Sequence, residues 1–249
     1  MSYSVLSIMI DKASKENHEN SIRFSALTEL SWNIVNILSK RIRKLCSFEC
    51  MGKQSDFGFH IEVDEKRREF EVLVACYVSG LRISELAVTE GAYSQACCLL
   101  RQEIESLTQL IHVFNDTRSN DRAPNIKVLE RQLKDIYSLL TGVAHLISKE
   151  DLQNFSSLAY QHHPADRLTL PMLADCLPSF KKEYCDLLLA IRALTMICVL
   201  GVIDKYMARH FPHLAMTPGE IEELKEIYNL LCRSVPEVSE HVLRFEFLF

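Results

Sequence analysis

Glycine and proline are scarce in this chain of 249 residues, with seven of each. A fold of many β-strands needs these residues at its turns, so their scarcity favours helices. The chain also contains no glycine-rich phosphate loop, no dinucleotide fingerprint, and neither the Gly-x-Ser-x-Gly nor the His-Glu-x-x-His motif. The common templates of nucleotide-binding and hydrolytic enzymes are therefore missing, which makes an enzyme the less favoured class.

A strong excess of charge of either sign is missing as well. The net charge is −5, and the 28 basic residues are scattered, with brief clusters at 40–44 and 66–68. Such clusters are more often solvated helix faces than phosphate-binding patches. Nucleic acid is therefore not the favoured partner. The contents of 48% hydrophobic and 24% charged residues are typical of a globular protein, and we expect one helical domain over residues 1–249.

The nine cysteines follow no metal-binding pattern, because no Cys-x-x-Cys occurs. The segment Met1–Ile10 lacks the features of a secretory signal, so we expect free thiols and a cytoplasmic location. Two histidine pairs, His162 with His163 and His210 with His213, lack further ligands that would complete a metal set. The sequence therefore predicts neither a metal site nor a cofactor.

One long apolar run, Leu187–Ile203, has to be weighed as a membrane span. It has 17 residues, the lower limit for crossing a bilayer, and Arg192 interrupts it where a charge is costly in lipid. We expect instead a helix buried in a bundle, with Arg192 beside a carboxylate and no membrane association.

Helical periodicity dominates the rest of the chain. It predicts an all-α bundle of six or seven helices around a central antiparallel helical hairpin. Helices are expected at about 21–50, from 64 to near Gly91, across the hairpin at about 91–148, at 148–160 and at 179–210. A further helix is expected from Thr217, where Thr-Pro-Gly-Glu forms a capping box. The segment 161–178 is expected to be irregular, and the tail 243–249 fits either a helix end or a short strand.

The hairpin rests on two heptad-like stripes. A polar stretch separates them, and Asn125 is expected to cap the second helix, so the two helices should fold back on each other. The stripes are Cys97, Leu100, Ile104, Leu107, Ile111 and Phe114, then Ile126, Leu129, Leu133, Ile136, Leu140, Val143 and Ile147.

Five polar residues of the hairpin carry a family resemblance. The first helix contains Leu-Leu-Arg101-x-x-x-Glu105, and the second contains Tyr137-x-x-Leu-Thr141-x-x-x-His145. Over about residues 91–148 this resembles uncharacterised prokaryotic helical domain families, including relatives of abortive-infection proteins. The resemblance implies that these five positions are the family's polar positions, with Thr141 in place of the usual serine.

Folding the hairpin places Arg101 near the level of Thr141, four residues from Glu105 on its own helix. His145 points away from its heptad stripe and would join the cluster only through a further helix. Three interpretations stay open for the cluster: an arginine network that ties helices together, a ligand or catalytic site, or solvent exposure. We expect Arg101 to act as a structural tie whose removal costs about 1 to 3 kcal/mol for each buried acceptor left unpaired.

Two classes of function follow. The first is a non-enzymatic interaction or regulatory protein, with a protein partner or self-association, because heptad faces are present and catalytic templates are not. The second is a nucleic-acid-directed effector of bacterial defence, of ribonuclease-like or abortive-infection type, which rests on the resemblance alone. Helical ribonuclease toxins that use an arginine followed by a histidine after four to six residues offer no support, since Arg209 has only three residues before His213.

Overall fold

The computed structural model describes residues 5–46, 53–55, 58–60, 65–117, 125–129, 131–145 and 179–235. Seven α-helices occupy most of these ranges, which confirms the predicted all-α bundle. They are α1 Val5–Phe24, α2 Ala26–Leu45, α3 Glu65–Thr89, α4 Tyr93–Phe114, α5 Arg131–His145, α6 Lys182–His210 and α7 Pro218–Ser234. The helix predicted at 148–160, the segment 161–178 and the tail 243–249 lie outside the described residues.

Two three-residue strands lie between α2 and α3. Strand β1, Lys53–Ser55, pairs antiparallel with β2, Gly58–His60. The sequence predicted only a helix break at this point, because three residues are too few to establish the alternation that indicates a strand.

The first predicted helix, 21–50, is wrong in its bounds, because the chain forms two helices with a break at Ser25. Ser25 has extended backbone angles, φ −112° and ψ 111°. Its hydroxyl donates to Asp186 Oδ1 at 2.5 Å, which ties the break to α6. The apolar periodicity continues on both sides of Ser25, so the pattern alone could not reveal the break.

Helix α6 lies at the centre of the bundle, as the apolar run predicted. Every side chain from Leu187 to Gly201 is buried, and α1, α2, α3, α4 and α7 all pack against this helix. A helix surrounded on all sides has no polar face, which explains its continuous apolar sequence.

By length and composition alone, α3 and α6 could each cross a membrane. Most of the apolar stretch of α6 is buried by the other helices, as in the core helix of a bundle. Less than half of the apolar stretch of α3 is buried. The exposed apolar side chains of α3 include Val72 and Ile83.

The predicted hairpin consists of α4 and α5. Contacts join Cys98 to Ala144, Glu105 to Tyr137 and His112 to Asn125, so the partner numbers fall as the chain number rises and the helices are antiparallel. Helix α4 also packs on α3 and α6, whereas α5 packs on α4.

Two predicted caps have different outcomes. Thr217 forms the complete capping box with Glu220 at the start of α7, as predicted. Asn125 Oδ1 accepts a hydrogen bond from the Lys127 backbone N–H, but the element it caps is a 3-10 turn at Ile126–Val128. Helix α5 therefore begins at Arg131, later than the apolar stripe indicated.

Gly91 follows the end of α3 at Thr89, near the predicted boundary. Its φ of +82° lies in the left-handed region, and a Cβ there would approach Asn17 Nδ2 and the Ser179 carbonyl oxygen to 3.0 Å. Asn17 donates to the Glu90 carbonyl and accepts from the Phe180 N–H, both at 2.9 Å. This corner therefore joins α1, the α3–α4 turn and the start of α6.

Candidate functional site

Three of the five residues singled out from the sequence meet on the hairpin. Arg101 Nε donates to Glu105 Oε1 at 3.0 Å, and the Tyr137 hydroxyl donates to the same oxygen at 2.8 Å. The Arg101 guanidinium carbon also lies 5.8 Å from the centre of the Tyr137 ring. We call Arg101, Glu105 and Tyr137 the hairpin trio, which joins α4 to α5 through one shared carboxylate.

The other two predicted residues are not joined to this carboxylate. Thr141 Oγ1 is buried and has no hydrogen-bond partner in the described part of the chain. His145 is the last residue of α5, and its side chain lies outside the described residues.

The hairpin trio keeps Arg101 charged and occupied. Hydrogen bonding to Tyr137 and to Glu105 raises the pKa of Arg101. The Arg101 and Glu105 side chains are 26% and 25% exposed, so water reaches both partners. An arginine and a glutamate that are each about a quarter exposed and paired in this way link two helices and present little net charge to a ligand.

A second and fully buried polar cluster surrounds Arg192, whose side chain is 0% exposed. Its Nε donates to Ser84 Oγ at 3.2 Å, its Nη2 donates to the Leu81 carbonyl at 2.9 Å, and its Nη1 donates to Ser31 Oγ. Two carboxylates balance the charge, with Nη2 3.7 Å from Glu85 Oε2 and Nε 4.0 Å from Glu103 Oε1. We call this set the Arg192 network: Ser31, Leu81, Ser84, Glu85, Glu103 and Arg192.

Helical spacing places each member of the Arg192 network toward the centre. Ser31 lies on α2 between the buried Leu30 and Ile34, and Ser84 lies on α3 between the buried Leu81 and Val88. Glu103 lies on α4 between Leu100 and Leu107. These polar side chains occupy core positions because the guanidinium in α6 would otherwise lack acceptors.

Glu103 is the most perturbed carboxyl of the network. Burial raises its pKa to about 7, and Arg192 and Ser84 only partly oppose this. Its second oxygen, Oε2, is buried without a hydrogen-bond partner in the described part of the chain, as is the Tyr77 hydroxyl. Burial, together with the nearby Glu103 carboxylate, raises the pKa of Tyr77 well above its ordinary value. Within this network, Glu103 could hold or release a proton near neutral pH.

Glu85 connects the buried network to the surface. Its Oε1 accepts hydrogen bonds from Trp32 Nε1 at 3.1 Å and from Arg82 Nη1 at 2.8 Å, while its Oε2 faces Arg192. The Glu85 carboxylate therefore lies between the buried Arg192 and the more exposed Trp32 and Arg82, and it joins α2 to α3.

A separate buried ion pair lies toward the other end of α6. Arg41 Nη2 donates to Asp204 Oδ1 at 2.7 Å, and the Met216 N–H donates to the same oxygen at 2.7 Å. Burial lowers the pKa of Arg41, and the nearby Asp204 opposes that change. This pair ties α2 to α6 and to the connection that precedes α7.

Sequence reasoning identified Arg192 and its need for a carboxylate but not the residues that supply it. The available signal was the appearance of Ser31, Ser84 and Glu103 at positions that the apolar periodicity assigns to the core. A single sequence does not say which of these face the same helix, because their contacts with Arg192 span 89 to 161 positions.

A surface groove of about 360 Å³ runs between α2 and α7. The buried Ile37 and Ile227 lie at its base, and Leu230, 52% exposed, projects beside them. Its full lining is Asn33, Asn36, Ile37, Lys40, Glu223, Glu226, Ile227 and Leu230. An apolar base with a polar rim is the form of a surface that receives an amphipathic helix.

No group of three metal-ligating side chains is found in the described ranges. Seven cysteines fall within them and are free thiols, of which Cys97, Cys185 and Cys198 are buried. Burial raises the pKa of Cys185 and of Cys198 to about 12, so these thiols stay protonated at neutral pH.

Comparison of the chain with protein-family models, curated proteins and solved structures gave no match.

Proposed function

We propose that this protein is a non-enzymatic helical interaction protein of the cytoplasm, and that it binds a partner helix in the α2–α7 groove. The observation that carries this proposal is the groove itself, which places the exposed Leu230 beside the buried Ile37 and Ile227. A two-helix surface with an apolar base can accept apolar side chains of a third helix at helical spacing.

The arginine clusters fit structural roles beside this surface. Arg101, Arg192 and Arg41 each face at least one carboxylate of the same chain. These carboxylates compensate the positive charge of the arginines within the protein. The Arg192 and Arg41 pairs join different helices, whereas Arg101 and Glu105 lie on the same helix. These clusters support the bundle on which the groove is built.

The alternative, a nucleic-acid-directed effector of bacterial defence, would use the hairpin trio. Glu105 places a negative charge 3.0 Å from Arg101, which opposes the approach of a phosphate. The groove rim carries two glutamates and one lysine, which is equally unsuited to a nucleic-acid backbone. The interaction protein is therefore the better-supported proposal.

The proposal is tested by Leu230→Glu, which places a charge in the groove. The affinity-tagged full chain is purified from its native cells, which also produce the untagged chain. The co-purified proteins, the untagged chain among them, are measured by quantitative mass spectrometry. We expect a protein partner to be lost from Leu230→Glu at an unchanged melting temperature, because a charge on the apolar base opposes helix docking.

Ile22→Glu on α1 is the matched control, since Ile22 is exposed to a similar degree but lies outside the groove. This variant should retain the partner. Identical sets of associated proteins from all three forms would contradict the proposal, and recovery of nucleic acid in place of protein would favour the alternative.

A further inference from the structure

We propose that the α2–α7 groove is occupied by the same groove of a second copy of this chain, forming a two-fold symmetric four-helix interface. This inference rests on the proposed function and names the partner. It is carried by the order of charges along the two walls of the groove.

The two walls are antiparallel helices in a known register. Lys44, near the end of α2, pairs with Glu220, near the start of α7, at 3.1 Å. Since each helical residue advances about 1.5 Å, Lys40 lies near the level of Glu223, and Glu29 lies near the level of Arg233. Glu29 lies four residues from Asn33, and Arg233 lies seven from Glu226, so both extend the helix faces of the groove beyond its lining. Along these faces, α2 changes from acidic to basic where α7 changes from basic to acidic.

This charge order is self-complementary. A two-fold axis along the groove places α2 of one copy over α7 of the other at the same level, so that Lys40 meets Glu223 and Glu226, and Glu29 meets Arg233. A two-fold axis across the groove places α2 over α2, so that Lys40 meets Glu29. Either closed arrangement brings opposite charges together twice, as an isologous interface requires.

In the part of the chain that the structure describes, the charges needed for this interface have no ion-pair partner. Lys40, Glu223, Glu226, Glu29 and Arg233 are all exposed, and none forms an ion pair within the described ranges. The neighbouring Lys44 and Glu220 are already paired and hold the two walls together. The arrangement leaves the outer charges available to a partner that carries the same pattern.

The apolar part of the groove also suits two copies. Leu230 projects from each α7 beside Ile37 and Ile227. Facing grooves would bring the two Leu230 side chains into the shared space between four helices. The stretch from Glu29 to Lys40 is about 18 Å long, which is enough for several layers of contact.

Sedimentation velocity of the full 28.6 kDa chain tests the inference, at concentrations up to about 100 µM. We expect the wild type to be a dimer and Lys40→Glu to weaken dimerisation at least about ten-fold, because it places like charges opposite each other. Lys12→Glu, the same charge reversal on an exposed position of α1, is the matched control and should dimerise as the wild type does. Melting temperatures measured in parallel distinguish loss of the dimer from unfolding.

Charge exchange identifies the axis. Recovery of the dimer by Lys40→Glu with Glu223→Lys and Glu226→Lys supports the axis along the groove, whereas recovery by Lys40→Glu with Glu29→Lys supports the axis across it. A monomeric wild type over the whole range, or a Lys40→Glu variant that dimerises normally, would overturn the inference. If Leu230→Glu still loses a different cellular protein in that case, the proposed function stands and only the second copy is excluded.

Discussion

The hairpin trio and the Arg192 network both join an arginine to glutamate, yet they differ in their access to water. In the trio, Arg101 and Glu105 are each about a quarter exposed and lie 3.0 Å apart. In the network, Arg192 is 0% exposed and its two carboxylates lie 3.7 and 4.0 Å away, so hydroxyl and carbonyl groups supply the short contacts. Water can replace a lost partner in the trio but not in the network, so equal substitutions should have unequal effects.

Removal of Arg192 should have the largest effect. We expect Arg192→Ala to lower the free energy of unfolding by about 3 to 5 kcal/mol, because Glu85 and Glu103 are then left buried without their cation. Urea denaturation followed by circular dichroism measures this change. Arg82→Ala is the matched control, since Arg82 contacts the same Glu85 from an exposed position and should cost less than about 1 kcal/mol. Equal losses for the two variants would show that burial of the arginine does not set the cost of removing it.

The pH dependence of stability should show the buried state of Glu103. Its pKa is about 7 in the folded protein against an ordinary value of 4.5, so the folded state binds more protons between these two pH values. Stability from this group is therefore present below pH 4.5 and is lost as pH rises through 7. We expect Glu103→Gln to reduce the fall in unfolding free energy between pH 5 and 7.5 by about 2 kcal/mol. The measurement is urea denaturation of both forms across that range, and parallel pH curves would contradict the assignment.

Substitutions in the hairpin trio should have the smallest effect. We expect Arg101→Ala to cost about 0.5 to 1 kcal/mol, less than the sequence indicated, because Glu105 reaches solvent and keeps its hydrogen bond from Tyr137. Arg101→Lys should recover part of this loss.

A double-mutant cycle of Arg101→Ala with Tyr137→Phe, measured by the same denaturation, gives the coupling through the shared carboxylate. If Arg101→Ala lowered the free energy of unfolding as much as Arg192→Ala, water would not be replacing the lost partner in the trio, contrary to its exposure in the structure.

The sequence allowed the hairpin trio to be assembled because all three residues belong to two consecutive helices. Periodicity established both stripes, and the polar loop between them brought Glu105 and Tyr137 to the same level. The prediction failed in detail at two places, one with a local cap and one with a long-range contact. The Asn125 cap starts a 3-10 turn rather than α5, and the contact from Ser25 to Asp186 accompanies a break that the apolar spacing of α1 and α2 does not show.

The helical class, the core helix at Leu187–Ile203 and the need of Arg192 for a carboxylate could all be predicted from the sequence, because each follows from spacing or from the cost of burying a charge. That Glu85 and Glu103 supply the carboxylate, and that α2 and α7 leave an apolar groove between them, became known from the packing of the helices. Glu103 and Glu85 lie 89 and 107 positions from Arg192, and the groove lining extends from Asn33 to Leu230, which are 197 positions apart. Local periodicity defines which face of each helix is buried, whereas the choice of the facing helix depends on the packing of all helices together.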